Sequence, residues 1–497
     1  MAILNLNGPL ELYSPEWWLR RLLSRLMYRR SVVDEFDRFY LGTQPLAFAS
    51  AKFREVFGER YSRLSANFMP LVVDAERERL AVQGFRFGDA TRGDKDVWRI
   101  WQLNQLDAES QIAHEIALSK GVAYTIVAPG EDGPVITIED PTETIVETQP
   151  GNRRLRSAAL KMWTDDERFM RAYLYLPDTI YKFRSAKAVP DRIEGWPAPS
   201  MVGESEMPVT FDGDVEVEVH TLGVPVIPLL NRPRRDGTGR SEIEPVMGNQ
   251  NAINKLRFDA LVASEFVAFP QRWVTNIDIP VVDGKEIAPF KPGVDNLWAS
   301  RLPTPEEAAQ YGDKYPSPTF GQFPAADLKP YIDMMREEVG QMASISRTPY
   351  HYLLGEPTSV PPSGESLKSS EAPLVKKVGA QAVHFGEGWE ETMRVALKAD
   401  GQESKARNDA ETMWADPETR NEAARTDSII KQHAAGLIPD EFALEELGYS
   451  QQQIQRILDM KEQERLETPE PPPTPPTMPP EVSGVPGLMA LPTVRRA

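Results

Sequence analysis

The histidines are the side chains of this sequence best suited to catalysis or metal binding, and their spacing favours neither. A hydrolase would need a nucleophile paired with a base, or a cluster of metal ligands. His114-Glu115 begins the H-E-x-x-H pattern of zinc proteases, but Leu118 stands where the second histidine belongs. We therefore interpret His114 as structural. The chain has no cysteine, and its five histidines stand at positions 114, 220, 351, 384 and 433.

A basic, glycine-bearing loop at 231–240 is the second segment that could bind a ligand. Its sequence is NRPRRDGTGR. The pair Gly237 and Gly239 has no third glycine, no following Lys-Ser/Thr and no strand-to-helix context, so a nucleotide-binding loop is not predicted. No pair of carboxylates elsewhere is distinguished as an acid and a base. The residues that could do chemistry therefore indicate no reaction, and we predict no enzyme and no cofactor.

Charge and composition restrict the remaining functions. The 497 residues carry a formal charge of −18. A protein that grips DNA is normally basic, because contacts with phosphates dominate affinity. An acidic chain either does not meet DNA or handles it without gripping it, although negative charge also simply keeps a protein soluble. The absence of cysteine fits a reducing cytoplasm. No apolar run is long enough to span a bilayer and no signal-peptide pattern opens the chain.

The N-terminal elements are predicted to be helical. Ser14-Pro15-Glu16 is a helix start, with a capping serine, proline at the first position and an early carboxylate. An apolar face follows, and arginines occupy the other side. Such a helix could lie on a membrane or open a transit peptide, but Glu11 and Glu16 argue against the latter and packing on a neighbour is the commoner use. The apolar face consists of Trp17, Trp18, Leu19, Leu22, Leu23, Leu26 and Met27.

The middle of the chain indicates a mixed α+β body. Further helices are predicted at 32–41, 52–67 and 97–119, and a strand at 80–87. Short runs rich in Val, Ile, Tyr and Thr, separated by Gly, Pro, Asn and Asp, then indicate a mostly antiparallel sheet packed on these helices. These strands are predicted at 121–128, 135–139, 144–148, 155–163, 169–176, 181–183 and 215–220.

Three helices separated by irregular segments follow. The first ends before Pro270, and apolar spacing predicts the second from about Ala326. Between them lies a Pro-rich excursion at 270–325, and excursions of this length in a compact domain are generally functional. A loop leads to the third helix, which runs from 363 or 364 to about 398 and is expected to kink near Pro373.

In this order of elements the chain resembles the portal proteins of tailed phages, specifically the SPP1 Gp6-like group. The resemblance covers about residues 30–465. The segments that carry it are Ser241-Glu242-Ile243, Pro270-Gln271-Arg272-Trp273, Ala343 to Pro349, Pro362-Ser363-Gly364-Glu365-Ser366-Leu367-Lys368 and Trp414-Ala415-Asp416-Pro417.

The resemblance implies a domain organisation along the chain. A helical and β-rich wing would cover 1–240. The stem helices would be 241–268 and 326–346, with the clip at 269–325 between them. A tunnel loop at 347–363 would lead into the long kinked helix and wing return at 364–417. Helices at 418–465 would form a crown, and the Pro-rich composition of 466–497 predicts a disordered tail.

The resemblance also implies partners and sites. The subunits would form a ring, usually of about twelve, at one vertex of the capsid, assembled in the host bacterial cytoplasm. The ring would dock the terminase motor during packaging and head-completion or adaptor proteins afterwards, and would contact capsid and scaffolding proteins. Double-stranded DNA would pass without sequence specificity, and no membrane is involved. Clip residues for docking would be Arg272, Trp273 and Trp298, and channel residues Arg347, Thr348, His351, Lys368, Lys376 and Lys377.

Two alternatives remain open from the sequence alone. One is another phage head component, such as an adaptor or a minor capsid protein. Adaptors are typically shorter and lack the order helix, excursion, helix, loop, long helix. The other is an intracellular hydrolase, because catalytic groups that lie far apart in sequence can assemble in space.

Overall fold

The computed structural model describes residues 6–467 except for short internal segments. These are 7, 48–64, 89, 91–92, 190–209, 214, 269–271, 277–280, 283–284, 287–303, 312–318, 323–326, 356–363 and 419–421. The predicted helix at 52–67 therefore falls almost wholly outside the described residues, as do Trp298 and the tail beyond 467. The chain divides into two compact units, Met1–Arg425 and Thr426–Ala497.

Helices and antiparallel strands both contribute to the first unit, which confirms the α+β prediction. Short 3-10 turns at Glu244–Val246 and Glu403–Lys405 add to its helices. The helices are α1 (Pro15–Tyr40), α2 (Met69–Arg77), α3 (Lys95–Leu103), α4 (Leu106–Lys120), α5 (Met247–Ala268), α6 (Pro305–Tyr311), α7 (Lys329–Ser346), α8 (Tyr350–Leu354), α9 (Gly364–Ala399) and α10 (Glu422–Ala434), which extends into the second unit.

Within the described residues, the strands form two larger antiparallel sheets and three two-stranded pairs. The larger sheets have the orders β4-β5-β6-β7-β8 and β3-β2-β9, and the pairs are β1-β14, β10-β13 and β11-β12. Their bounds are β1 (Val82–Phe87), β2 (Val122–Ala128), β3 (Val135–Glu139), β4 (Thr144–Gln149), β5 (Asn152–Thr164), β6 (Met170–Tyr175), β7 (Thr179–Arg184), β8 (Glu216–Val219), β9 (Val226–Leu230), β10 (Arg272–Thr275), β11 (Val281–Val282), β12 (Lys285–Glu286), β13 (Thr319–Gln322) and β14 (Ala410–Trp414).

Helix α1 packs its apolar face on the five-stranded sheet. The Ser14 side chain accepts a hydrogen bond from the backbone N–H of Trp17, as the predicted cap requires. Leu19, Leu22, Leu23 and Leu26 are fully buried in a core with residues of β4, β5 and β6. The helix continues to Tyr40, so the separate helix predicted at 32–41 is the second half of α1.

The predicted helix at 97–119 is wrong in one respect, because a break divides it into α3 and α4. Gln105 has a left-handed backbone with φ 53°. At the break, the Asn104 side chain accepts from the backbone N–H of Ile136 at 2.8 Å and donates to the carbonyl of Pro134 at 2.9 Å. The break therefore allows Asn104 to satisfy backbone groups at the start of β3.

The long helix α9 is central to the main core. Trp389 and Phe385 are fully buried there, and Trp389 contacts Trp101 edge to face at 5.1 Å between ring centroids. Gly388 permits the close approach of α9 to β9, because a Cβ at this position would lie 2.5 Å from a methyl carbon of Leu229. The predicted bounds of this helix, from 363 or 364 to about 398, are confirmed.

In the described part of the second unit lie two further helices, α11 (Asp440–Glu446) and α12 (Gln451–Glu467). Asp440 at the start of α11 contacts both His433 and Lys461 through its carboxylate. The Lys461 ammonium and the His433 ring hold the pKa of this carboxyl below its usual value. Ion pairs thus join the two helices to the end of α10. Among the described helices of the whole chain, none combines the length and apolar character needed to cross a membrane.

His114 is a core residue, as the sequence indicates. Its ring is fully buried, stacks on Phe385 and accepts a hydrogen bond at Nε2 from Trp389 Nε1 at 3.0 Å. Burial lowers the pKa of His114 to about 3, because the charged imidazolium would lose its hydration.

This buried ring makes stability depend on pH. Below pH 6.5, His114 is protonated in the unfolded chain but stays neutral in the folded chain. The free energy of unfolding therefore decreases as the pH falls from 6.5 towards 3. Relative to His114→Gln, we expect the wild type to lose about 2 kcal/mol between pH 7.5 and pH 5, measured by denaturant unfolding at each pH. His384→Gln, at an exposed position of α9, is the control. Parallel pH profiles for the wild type and His114→Gln would contradict this account.

Candidate functional site: the junction of the paired helices and the long helix

The two helices that bracket the excursion pack against each other. Helices α5 and α7 are in contact, and Asn249 Nδ2 donates to Glu338 Oε2 at 2.9 Å across the pair. Between them in the chain, β10 and β13 form an antiparallel pair that begins and ends the described part of the excursion. The predicted order of helix, excursion and helix is therefore present, and its two helices pack side by side.

A buried lysine lies where α7 ends and α9 passes. The Lys377 ammonium contacts Glu76 Oε1 at 2.5 Å, Glu242 Oε2 at 2.6 Å and the carbonyl oxygen of Ser346 at 2.7 Å. These three acceptors satisfy all three ammonium protons. The side chains of Lys377, Glu76 and Glu242 are 4%, 0% and 1% exposed. One side chain of α9 therefore joins α2, the segment before α5 and the last residue of α7.

Neighbouring polar groups complete this buried ion cluster, which we define as Glu76, Arg232, Glu242, Lys377 and Gln381. Gln381 Nε2 donates to Glu76 Oε2 at 2.5 Å, and Arg232 Nη2 donates to Glu242 Oε2 at 2.7 Å. With both arginine and lysine charged, the two cations balance the two carboxylates. A balanced, hydrogen-bonded arrangement is the condition under which buried charges are tolerated.

The electrostatics of Glu76 show why Lys377 is needed. Burial raises the pKa of the Glu76 carboxyl above its usual value, and the adjacent Glu242 carboxylate acts in the same direction. The Lys377 ammonium opposes both effects. Without the lysine, two carboxylates would face each other with little water to screen them.

A second polar contact holds the short helix α8. Tyr352 Oη accepts a hydrogen bond from Arg79 Nη2 at 2.7 Å and donates one to Glu371 Oε1 at 2.9 Å. The Arg79 guanidinium also lies over the Tyr352 ring at 5.7 Å from its centroid. This contact ties α8 to the segment that follows α2 and to the first half of α9.

The first part of the segment between α7 and α9, residues 347–355, is held in place by contacts at Thr348 and at Tyr352. Arg347 adopts a left-handed backbone with φ 61° and ends α7. Thr348 is buried, and its hydroxyl accepts a hydrogen bond from Ser346 Oγ at 2.9 Å. Residues 347–355 therefore leave α7 in a defined direction, and 356–363 lie outside the described residues.

The six predicted channel residues fall into three groups: three exposed cations, two buried residues, and the half-buried His351. Arg347, Lys368 and Lys376 are exposed, and none of their side chains has a partner within the described ranges. Two predictions are corrected: Lys377 is neutralised in the ion cluster, and Thr348 is packed against Ser346, so neither has the exposure that a channel-lining residue needs.

His351 is half-buried and contacts the Tyr352 ring edge to face at 4.7 Å between centroids. Its role as a channel residue remains a prediction, because its partial exposure fits both a packed residue and one that lines a channel.

The predicted docking residues of the excursion are placed in part. Trp273 on β10 faces Gly321 on β13 in the strand register. A Cβ at Gly321 would lie 2.3 Å from the indole ring, so the glycine provides the space in which the tryptophan packs. Arg272 lies on β10, but its side chain is outside the described atoms, as is all of Trp298. Their role in docking remains a prediction.

The sequence did not single out Glu76, Arg79, Arg232 or Tyr352. Glu76 lies three residues after Val73 and four residues before Leu80, and both of these apolar residues are buried. This spacing was the available signal that the carboxylate of Glu76 is buried as well. No pattern pairs it with Lys377, three hundred residues away in sequence. Over the described ranges, no three His, Asp or Glu side chains are grouped as a metal ion would require.

Comparisons with known proteins agree on one family. The family model described as phage portal protein, SPP1 Gp6-like, matches residues 20–466. The portal protein of Mycobacterium phage L5 is 30% identical over 441 residues, which cover 85% of this chain and 84% of that protein. The portal protein of Mycobacterium phage D29 is 30% identical over 397 residues, which cover 76% of this chain and 75% of that protein.

Among solved structures, the chain is similar to one from the neck of an empty gene transfer agent particle computed with C6 symmetry. The TM-score is 0.46 at 13% identity, and the match covers 84% of this chain and 93% of that one.

Removing the buried lysine should destabilise the chain. Lys377→Met leaves Glu76 and Glu242 without their shared cation, and we expect the free energy of unfolding to fall by about 3–5 kcal/mol. The adjacent Lys376→Met, at an exposed position of the same helix, should change it by less than about 0.5 kcal/mol. Denaturant unfolding of both variants measures the difference. Equal effects at the two positions would show that the ion cluster does not hold the junction together.

Proposed function

Because the chain belongs to the phage portal protein family, SPP1 Gp6-like, we propose that it forms the ring through which the phage genome enters and leaves the capsid. The observation that carries this proposal is the match of the family model over residues 20–466, which includes every element of the junction described above. The ring would contain about twelve subunits with closed rotational symmetry, and would be part of the virion at one vertex.

In this proposal, α5 and α7 form the stem, and the excursion between them, which includes the β10–β13 pair, forms the clip. The buried ion cluster supports this division, because Lys377 joins the end of α7 to α2 and to the long helix. A stem anchored in this way can transmit force between the clip and the body without separating from it. Residues 347–363 are the proposed tunnel loop, and the helices after 418 the proposed crown.

Three exposed cations are the proposed contacts with DNA. Arg347, Lys368 and Lys376 have no carboxylate partner among the described residues. Ring symmetry would turn each of them into a belt of positive charge in a protein whose chain carries −18. A conduit has to avoid a tight grip, because each phosphate contact adds to the cost of sliding. Sparse belts in an acidic ring would guide the duplex without holding it or reading its sequence.

The clip is the proposed docking site for the terminase motor during packaging and for head-completion proteins afterwards. Aromatic residues are favoured at protein interfaces, because they bury a large area with little loss of conformational freedom. Trp273, which is only half-buried on β10, has this character. Arg272 and Trp298 are proposed as further contacts.

Shortening the proposed tunnel loop should separate assembly from packaging. Deleting residues 356–363 leaves Tyr352 and its contacts with Arg79 and Glu371 in place. We expect rings to form at the wild-type yield, seen by electron microscopy, while the amount of DNA packaged per particle falls at least about tenfold, since the loop no longer reaches the duplex.

Replacing the same residues by a Gly/Ser segment of equal length is the matched control for the length of the loop. Failure of the deletion variant to form rings would mean that the segment is a packing element. Packaging at the wild-type level would mean that the segment does not act on DNA.

A further inference from the structure

A basic cleft lies on the first unit, and its lining includes Ser241, which precedes Glu242 of the buried ion cluster. It has a volume of about 990 Å³ and opens between α1, the turn that joins β4 to β5, and the loop 234–239. Six of its lining residues are Arg or Lys and three are Asp or Glu. In a chain with a formal charge of −18, an excess of positive charge at one concave surface requires an explanation.

The floor of the cleft is apolar. Val122, Tyr124 and Ile145 are buried beneath it. On the α1 wall, the large hydrophobic residues Tyr28 and Val32 remain 54% and 41% exposed. Exposed apolar side chains beside an apolar floor are typical of a protein-binding groove.

Two of the six cations that line the cleft, Arg153 and Arg235, have no carboxylate partner within the described ranges. The Arg153 guanidinium donates only to the backbone carbonyl of Arg234, and Arg235 has no partner within the described ranges. Two of the three lining acids are engaged with arginines: Glu147 pairs with Arg21 and Arg25, and Glu244 pairs with Arg234. The third, Asp236, accepts hydrogen bonds from the backbone N–H and the hydroxyl of Thr238. The rim therefore offers two arginines without a carboxylate partner above an apolar floor.

We propose that this cleft is a docking groove for an acidic, amphipathic segment of a separate protein. Glutamates or aspartates of that segment pair with Arg153 and Arg235, and its apolar side chains cover Tyr28 and Val32. Charge complementarity of this kind speeds association and selects the partner, while the apolar contacts supply affinity.

The floor favours a peptide over a nucleic acid as the occupant. Protein surfaces that bind duplex DNA contact phosphates through Lys, Arg and small polar groups, and most of their hydrogen bonds go to the backbone. An apolar floor gains nothing from a phosphate. An acidic segment with apolar residues, in contrast, uses both the rim and the floor.

The test measures binding of a fluorescent peptide, in which glutamate and leucine alternate, to the assembled full chain by fluorescence anisotropy. We expect Arg153→Glu with Arg235→Glu to weaken binding at least about tenfold, since both rim charges become repulsive. The matched control is Arg154→Glu with Arg240→Glu. These two exposed arginines also have no side-chain partner in the described part of the chain, but they do not line the cleft, and their reversal should leave affinity within about twofold.

Several results would overturn the proposal. One is no binding of the glutamate–leucine peptide, and another is equal binding of a glutamate–serine peptide, which cannot use the floor. Equal weakening by the two double variants would indicate unspecific charge attraction, and displacement of the peptide by duplex DNA would favour a nucleic acid. If Arg153→Glu with Arg235→Glu dissociates the ring, the cleft is an interface between copies of this chain. Binding or loss of binding of the peptide leaves the proposed passage of DNA unaffected, so failure of the docking proposal is distinguishable from failure of the proposed function.

Discussion

The buried ammonium of Lys377 is the constraint on which the arrangement of this molecule depends. Its contacts with Glu76, Glu242 and the Ser346 carbonyl bring together four segments that are distant in sequence. Burial of apolar surface has no preferred direction, whereas the hydrogen bonds of an ammonium require acceptors in defined directions. The three hydrogen bonds of the ammonium fix the position of Lys377 relative to Glu76, to Glu242 and to the last residue of α7.

Local patterns predicted most of the elements, and tertiary contacts account for the errors. The Ser14 cap and the apolar face of α1 are local signals, and the structure confirms them. The strand β9 was missed because Pro228 interrupts a short apolar run, which is tolerated here since β9 lies at the edge of its sheet. The break at Gln105 was missed because its reason is a contact of Asn104 with β3. No spacing rule contains that contact.

In the candidate site, too, the roles of the residues depend on tertiary contacts that local sequence patterns do not contain. The motif Ser241-Glu242-Ile243 was recognised through resemblance, but its physical role depends on Lys377, which the sequence suggested as an exposed residue. A lysine in an amphipathic helix is ordinarily solvated, and its burial is decided by two carboxylates supplied from elsewhere in the chain. Arg347, Lys368 and Lys376 are exposed, and their role as channel residues remains a prediction.

The central claim is that many copies of this acidic chain surround an axial passage wide enough for duplex DNA. Electron microscopy of the purified full-length chain tests it most directly. The account predicts top views of a closed ring with an axial hole, made of about twelve subunits of 55.8 kDa each. Monomers, small oligomers or closed particles without a central hole, under conditions in which the chain is folded, would contradict it.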